Sequence, residues 1–261
     1  MTLDGAVSIV TGSATGVGAA CALRLAAKGS RVVVNYTKSL DAARATAQAC
    51  TAAGVEALLV QADIAQDSDC RRLVAAALEK WGRVDALINN AGATKFVAHH
   101  DLDGLSAEDF QRIYAVNVIG AYQMTRAAAP AMREAGAGAV VNISSLAGVM
   151  GLGSSIAYAA SKGALNTMTL SLARVLGPEI RVNAICPGMI EGRWLREGMG
   201  DAAYDSLKEQ VLRSTPLRAI AQPGDIAETA VWLIEGAGLM TGETLMVDGG
   251  MHLSAAPLKA R

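Results

Sequence analysis

Short apolar runs alternate with helical patterns along the whole chain. Runs at Ala6–Val10, Arg31–Asn35, Ala57–Val60, Ala86–Ile88, Ala139–Ile143, Arg181–Ile185 and Thr244–Val247 predict strands. None of them alternates strictly between apolar and polar, as expected of strands buried on both faces in a parallel sheet. Between them, Leu73, Val74, Ala77, Leu78 and Trp81 recur at helical spacing, with Asp67 or Ser68 as the expected cap. Leu165, Met168, Leu172 and Leu176 form a second stripe that should stop at Gly177-Pro178. Ser106-Ala107-Glu108-Asp109 reads as a capping-box start for a third helix. No linker, charge block or repeat divides the 261 residues. The pattern predicts one α/β domain over 1–261: a Rossmann-type, doubly wound parallel sheet of seven strands with helices on both faces.

Composition removes several function classes. The chain has 23 Lys plus Arg and 24 Asp plus Glu, a net charge of −1, so it lacks the basic face that nucleic-acid binding requires. Hydrophobic residues make up 52%, yet no uninterrupted apolar run is long enough to span a membrane. The first residues, Met1-Thr2-Leu3-Asp4, do not resemble a secretory leader. Cys21, Cys50, Cys70 and Cys186 show no paired spacing, so reduced thiols in a cytoplasmic protein are expected.

Two stretches carry candidate chemistry. The first strand runs into Thr11-Gly12-Ser13-Ala14-Thr15-Gly16-Val17-Gly18, followed by a helical pattern. Glycines let a backbone turn sharply and approach a pyrophosphate, and the helix N-terminus offers free N–H groups and a favourable dipole. Such turns also arise for geometric reasons alone, but this position favours phosphate binding. Asp63 follows the third strand and Asn89-Asn90-Ala91-Gly92 the fourth, at the edge where open α/β sheets bind ligands. Taken alone, Asp63 reads as a turn former. The second stretch is Tyr158-Ala159-Ala160-Ser161-Lys162, after a strand that ends in Ser144-Ser145. Residues four apart share a helix face. A cation beside a phenol favours phenolate and lowers a pKa that is otherwise about 10.

Four motifs stand in order: Thr11–Gly18, Asn89–Gly92, Tyr158–Lys162 and Pro187-Gly188. With them the chain resembles the short-chain dehydrogenases/reductases, in the branch of 3-oxoacyl-carrier-protein reductases and glucose dehydrogenases. The resemblance implies a catalytic tetrad of Asn117, Ser145, Tyr158 and Lys162, with Ser145 preferred to Ser144 by the family's spacing to the tyrosine. It gives Tyr158 the proton exchange with the substrate oxygen and Ser145 a hydrogen bond to that oxygen. Lys162 would lower the tyrosine pKa and hold the nicotinamide ribose, and Asn117 would support a proton-relaying water. The residues alone would read Asn117 as a polar side chain satisfied inside a helix. The implied cofactor-binding set is Gly12, Ala14, Thr15, Gly16, Val17, Gly18, Tyr36, Thr37, Lys38, Ser39, Asp63, Ile64, Asn90, Ala91, Gly92, Tyr158, Lys162, Pro187, Gly188 and Ile190. Gly192 stands where the family often has a threonine that contacts the carboxamide.

The second strand ends in Asn35-Tyr36-Thr37-Lys38-Ser39 without the acid that NAD(H)-selective sites use against a 2′-phosphate. NADP(H) is therefore favoured and NAD(H) remains possible. Thr15 stands where NADP(H)-selective relatives often carry a base, and the plainer reading makes Ser39 a helix cap and Lys38 a solvated cation. His99-His100-Asp101-Leu102-Asp103 reads as a loop and not a metal site, since adjacent side chains rarely converge on one ion. Gly192–Gly200, with Trp194, Leu195 and Met199, is either a loose loop or, as its place after Pro187-Gly188 favours, a mobile substrate lid. The expected function is hydride transfer between a nicotinamide cofactor and a carbonyl/alcohol pair, in a homotetramer built on the helices starting near Ser106 and Ser155. The substrate stays open among acyl thioesters, sugars and small ketones. The alternative is a non-catalytic cofactor-binding regulatory or interaction protein on the same fold.

Overall fold

The computed structural model describes residues 1–253, so the tail of the expected 1–261 domain lies outside the described residues. Its seven strands are β1 (Val7–Val10), β2 (Arg31–Tyr36), β3 (Ala57–Gln61), β4 (Ala86–Asn89), β5 (Gly138–Ile143), β6 (Ile180–Pro187) and β7 (Thr244–Val247). All seven pair in parallel in one sheet, ordered β3-β2-β1-β4-β5-β6-β7. The expected fold class is the one observed. Starting from β1, the chain adds strands to one side as far as β3, then crosses back and extends the other side from β4. The switch point therefore falls between β1 and β4, where crevices outside the strands' carboxyl ends take ligands.

The helices are α1 (Gly16–Ala27), α2 (Leu40–Ala52), α3 (Asp67–Trp81), α4 (Ala107–Tyr114), α5 (Ala121–Glu134), α6 (Ala147–Met150), α7 (Ile156–Leu176), α8 (Arg193–Met199), α9 (Asp201–Ser214) and α10 (Pro223–Glu235). Successive strand residues point to opposite faces, so the inner strands feed two cores. Val10 and Ile88 face Leu25 of α1 and Ile226 of α10. Ile9 and Leu87 face Leu73 of α3, Met124 of α5 and Leu172 of α7. This two-sided burial is why the strands read as unbroken apolar runs. No helix among the described residues is long and apolar enough to cross a membrane.

Helix starts show where local signals hold. At α4, the Asp109 N–H donates to Ser106 Oγ (3.3 Å) and the Ser106 N–H donates to Asp109 Oδ2 (3.1 Å), the capping box expected. At α3 the expected cap is wrong: Gln66 holds the cap position without a side-chain bond. Asp67 instead pairs with Arg71 and Arg126, and Asp69 Oδ2 accepts the Asp63 N–H. These partners draw the acidic side chains away from the helix end. Between α4 and α5 the helix widens into a π turn over Ala115–Gly120. Gly192–Gly200 is not a loose loop, because it folds into α8. With α9 it covers a small core of Met189, Tyr204 and Val211 that is separate from the two sheet cores.

Candidate active site

The first half of the site is a cradle at the switch point. Thr11 Oγ1 accepts the N–H groups of Asn90 (2.9 Å) and Ala91 (3.0 Å), and Asn90 Nδ2 donates back to the carbonyls of Thr11 (2.9 Å) and Gly12 (3.0 Å). Gly12 has a φ of +60°, and a Cβ there would stand 2.9 Å from Ala91 Cα. A Cβ on Gly18 would meet Gly12 O and Asn90 Nδ2 at 2.5 Å, so only glycine lets α1 press against the loop. Thr15 precedes α1 without a side-chain cap bond, and a Cβ on Gly16 would meet only open space. The first turn of α1, with Gly16, Val17 and Gly18, thus presents uncapped N–H groups beside Ala14 and Thr15, an arrangement that fits a dinucleotide pyrophosphate.

Beyond β2 and β3 lies a cavity of about 570 Å³ lined by Thr37, Lys38, Gln61, Asp63 and Arg72, among others. Arg72 is engaged with Asp69 (2.6 Å) and the Gln61 carbonyl (2.9 Å), whereas the Lys38 side chain has no partner among the described residues. Ser39 sits at the α2 cap position, but its side chain makes no cap bond. Asp63 closes a turn onto the Ala65 N–H (3.0 Å), and Ile64 is buried against Gly120. Tyr36 ends β2 half-buried. Asn35 beside it is the buried brace that sequence reasoning passed over. Its Oδ1 accepts the Gly12 N–H (3.0 Å) and its Nδ2 donates to the Ala62 carbonyl (3.0 Å).

The second half grows from α7. Ser155 caps this helix by accepting the Tyr158 N–H (3.3 Å), which puts Tyr158 in its first turn and Lys162 one turn on. The Lys162 ammonium donates to the Ile143 carbonyl at the end of β5 (2.8 Å) and lies 5.6 Å from the centre of the Tyr158 ring. Just past β5, the Ser145 hydroxyl accepts the Ala147 N–H (3.1 Å) and lies close enough to the Tyr158 hydroxyl to favour its charged form. Ser144 instead donates to the Lys162 carbonyl (3.2 Å), so the two adjacent serines face different partners. Asn117, inside the π turn, donates to Ser161 Oγ (2.9 Å) and the Ala93 carbonyl (3.0 Å) and accepts the Ala93 N–H (2.7 Å). It ties the loop after β4 to α7. A Cβ on Gly92 would lie 3.5 Å from Asn117 Oδ1 and 3.9 Å from Lys162 Nζ, so the cradle and the Tyr158 cluster adjoin. Pro187 ends β6 and its carbonyl accepts the Leu146 N–H (2.8 Å), Gly188 packs on Asp248, and Ile190 bridges to Ala221 at the base of α8.

Electrostatics depart from the expectation that Lys162 lowers the Tyr158 pKa. Burial pushes the Tyr158 phenol up to about 12 despite the opposing Ser145 hydrogen bond, and burial lowers Lys162 to about 8. Loss of water dominates both shifts, because each charged form must give up solvent. Two aromatic rings lie beside the phenol. Trp194 of α8 lies 5.7 Å from the Tyr158 ring, and Phe96 meets Trp194 edge-on at 6.0 Å. A lone aromatic in the loop after β4 gives no sequence signal of its own. The histidine loop is a turn closed by Asp101 Oδ1, which accepts the Gly104 N–H (3.0 Å).

Comparison with known proteins agrees with this geometry. A family model described as enoyl-(acyl carrier protein) reductase matches residues 12–252. A protein from Streptomyces violaceoruber, named as a candidate ketoacyl reductase of the granaticin polyketide synthase, is 44% identical over 95% of this chain and 96% of its own length. The 3-oxoacyl-[acyl-carrier-protein] reductase of Staphylococcus epidermidis is 34% identical over 94% of this chain and 98% of its own. The crystal structure of a candidate short-chain dehydrogenase/reductase from Burkholderia xenovorans superposes with a TM-score of 0.88 at 44% identity, covering 95% of this chain and 98% of that one. This chain belongs to the short-chain dehydrogenase/reductase family. It is an oxidoreductase of nicotinamide-cofactor type, and nothing among its relatives supports the non-catalytic alternative.

Proposed function

We propose that this protein reduces a ketone to a secondary alcohol with NADPH, using Tyr158 as the acid. The observation that carries this reading is the pair of hydroxyls, Ser145 and Tyr158, set beside the glycine cradle over a buried Lys162. Both hydroxyls can reach one carbonyl oxygen, Ser145 to hydrogen-bond it and Tyr158 to protonate it. The bound nicotinamide supplies the hydride. With a pKa near 12, Tyr158 keeps its proton throughout the neutral range and suits the reductive direction. Lys162 would hold the nicotinamide ribose near Gly92, and Asn117 keeps the Ala93 loop and α7 in register for both.

NADP(H) is favoured because Lys38 is an unpartnered cation at the edge of the cavity beyond β2, and Tyr36 and Thr37 rather than an acid stand at that strand's end. A homotetramer is supported by exposed apolar side chains on the helices expected to form it: Ile119 and Tyr122 beyond α4, and Leu170 and Val175 on α7. The relatives' names suggest a ketoacyl substrate.

The test follows absorbance at the reduced-nicotinamide band across a carbonyl panel. Tyr158→Phe should cut turnover by about 10²–10⁴-fold while cofactor affinity is kept, the range expected for loss of a general acid. Turnover within a few-fold of the wild type would remove Tyr158 from the chemistry.

A further inference from the structure

We infer that Gly120 is a positioning residue: by letting the π turn close onto Ile64, it couples the loop after β3, at the cofactor end, to Asn117 at the chemical end. The coupling rests on the ketone-reductase reading and adds to it a residue with no chemistry of its own. Gly120 has ordinary helical angles (φ −60°, ψ −45°), so its backbone does not demand glycine, and alanine is the better helix former. Packing demands it instead. A Cβ there would stand 2.8 Å from Ile64 Cδ1 and 2.9 Å from both Ile64 Cγ1 and the Ile64 carbonyl oxygen. Carbon atoms pack at about 3.5–4.0 Å, so a methyl would force the two segments apart by roughly 0.6 Å or more.

The loop is the less able of the two to give way. Ile64 is buried, and the Cys70 thiol of α3 donates to its carbonyl (3.3 Å). Just before it, the Asp63 N–H donates to Asp69 Oδ2 (2.7 Å), and Asp63 Oδ1 accepts the Ala65 N–H (3.0 Å). The loop is thus pinned to α3. Gln123 Nε2 reaches across from α5 to the same Ile64 carbonyl (3.3 Å), which clamps the two segments at their point of contact. The strain of an added methyl therefore falls on the π turn, which carries Asn117 three residues back. There Asn117 accepts the Ala93 N–H (2.7 Å) and donates to the Ala93 carbonyl (3.0 Å) and Ser161 Oγ (2.9 Å). A displacement of that size stretches such bonds towards the ~3.5 Å at which they fail.

The test is Gly120→Ala, made alone and on top of Ile64→Ala, which removes two of the three close contacts and leaves the carbonyl. Amide hydrogen exchange at Ala93 in the cofactor-free protein reads the grip of Asn117 without any turnover. The kcat and the KM for NADPH are measured on the best ketone of the carbonyl panel. Gly120→Ala should speed exchange at Ala93 and cut kcat by roughly tenfold to a hundredfold, the cost of a misplacement approaching 1 Å, while the KM for NADPH stays within about twofold. In the Ile64→Ala background the same substitution should cost roughly threefold less, because the two residues act through one contact. Unchanged exchange at Ala93, an unchanged kcat, a raised KM in place of a lowered kcat, or equal losses in both backgrounds would each overturn the coupling. If Gly120→Ala does not fold, Ile64→Ala alone decides: opening space beneath the π turn must also speed exchange at Ala93, and unaltered exchange refutes the contact's role. A wild type that reduces no ketone, with Ala93 exchange still quickened by Gly120→Ala, would sink the reductase reading and leave the coupling of Ile64 to Asn117 standing.

Discussion

Holding the Lys162 ammonium inside the protein costs stability, and the cost has a pH signature. Its pKa falls from an ordinary 10.5 to about 8 because burial strips its water. At about 1.4 kcal/mol per pH unit, that difference corresponds to roughly 3 kcal/mol. Below the folded pKa both states are charged and the full cost is present. Between 8 and 10.5 the unfolded chain holds more protons than the folded one, so this group's contribution makes stability rise with pH. Above that window both states are neutral and the cost is gone. Lys162→Met removes the titration and keeps most of the volume. It also removes the bond to the Ile143 carbonyl, a pH-independent loss of about 1–3 kcal/mol. The variant's net advantage at neutral pH is therefore small, but its stability relative to the wild type should fall by about 3 kcal/mol from roughly pH 7 to pH 10.5. Urea unfolding of both cofactor-free proteins at stepped pH measures this difference. A flat difference curve, or one of opposite slope, would refute the idea that Lys162 is buried as a costly cation.

Lys38→Ala should lower the kcat/KM ratio of NADPH to NADH without changing NADH kinetics, since Lys38 is the unpartnered cation beside the β2 end; an unchanged ratio removes it from the phosphate site. Arg181→Met should destabilise the protein by about 2 kcal/mol in urea unfolding, because it strips charged donors from buried carbonyls. The guanidinium bonds the carbonyls of Leu233 (2.7 Å), Ile234 (2.7 Å) and Ala237 (2.9 Å), and α10 has no base of its own in its last turn. Light scattering should give about four times the 26.8 kDa chain mass, and a species of monomer mass alone would remove the helix-face assembly.

How much of this was legible in the chain depended on whether the signal was local. Strands such as Ala139–Ile143 were readable because burial on both faces demands unbroken apolar runs, and the structure lengthens that one only to Gly138. The Ser106 capping box was readable because all its parts lie within one turn. The α3 cap failed for the same reason in reverse: Asp67 is claimed by Arg126, a partner 59 residues away. Asn35 looked like one more strand residue, and its two roles appear only when β3 and the glycine loop are brought alongside it. Phe96 and Trp194 are 98 positions apart and meet only because the switch-point topology delivers the ends of β4 and β6 to the same edge. Motif spacing shows which residues a site contains, whereas its walls are set by long-range packing that leaves no periodic mark.

The cover and the acid form one device. Tyr158 holds its proton up to about 12 because it is buried, and Trp194 is part of what buries it. A phenol with that pKa is a weaker acid than a free tyrosine, but it stays protonated through the neutral range and can still give its proton to an alkoxide, which is a far stronger base. Moving α8 away would admit water and return the phenol towards its ordinary value near 10. The reverse reaction needs a phenolate in this buried site, with the Ser145 hydroxyl beside it and Lys162 donating to the Ile143 carbonyl. That charge is costly where water is excluded, so oxidation gains from rising pH while reduction proceeds across the neutral range.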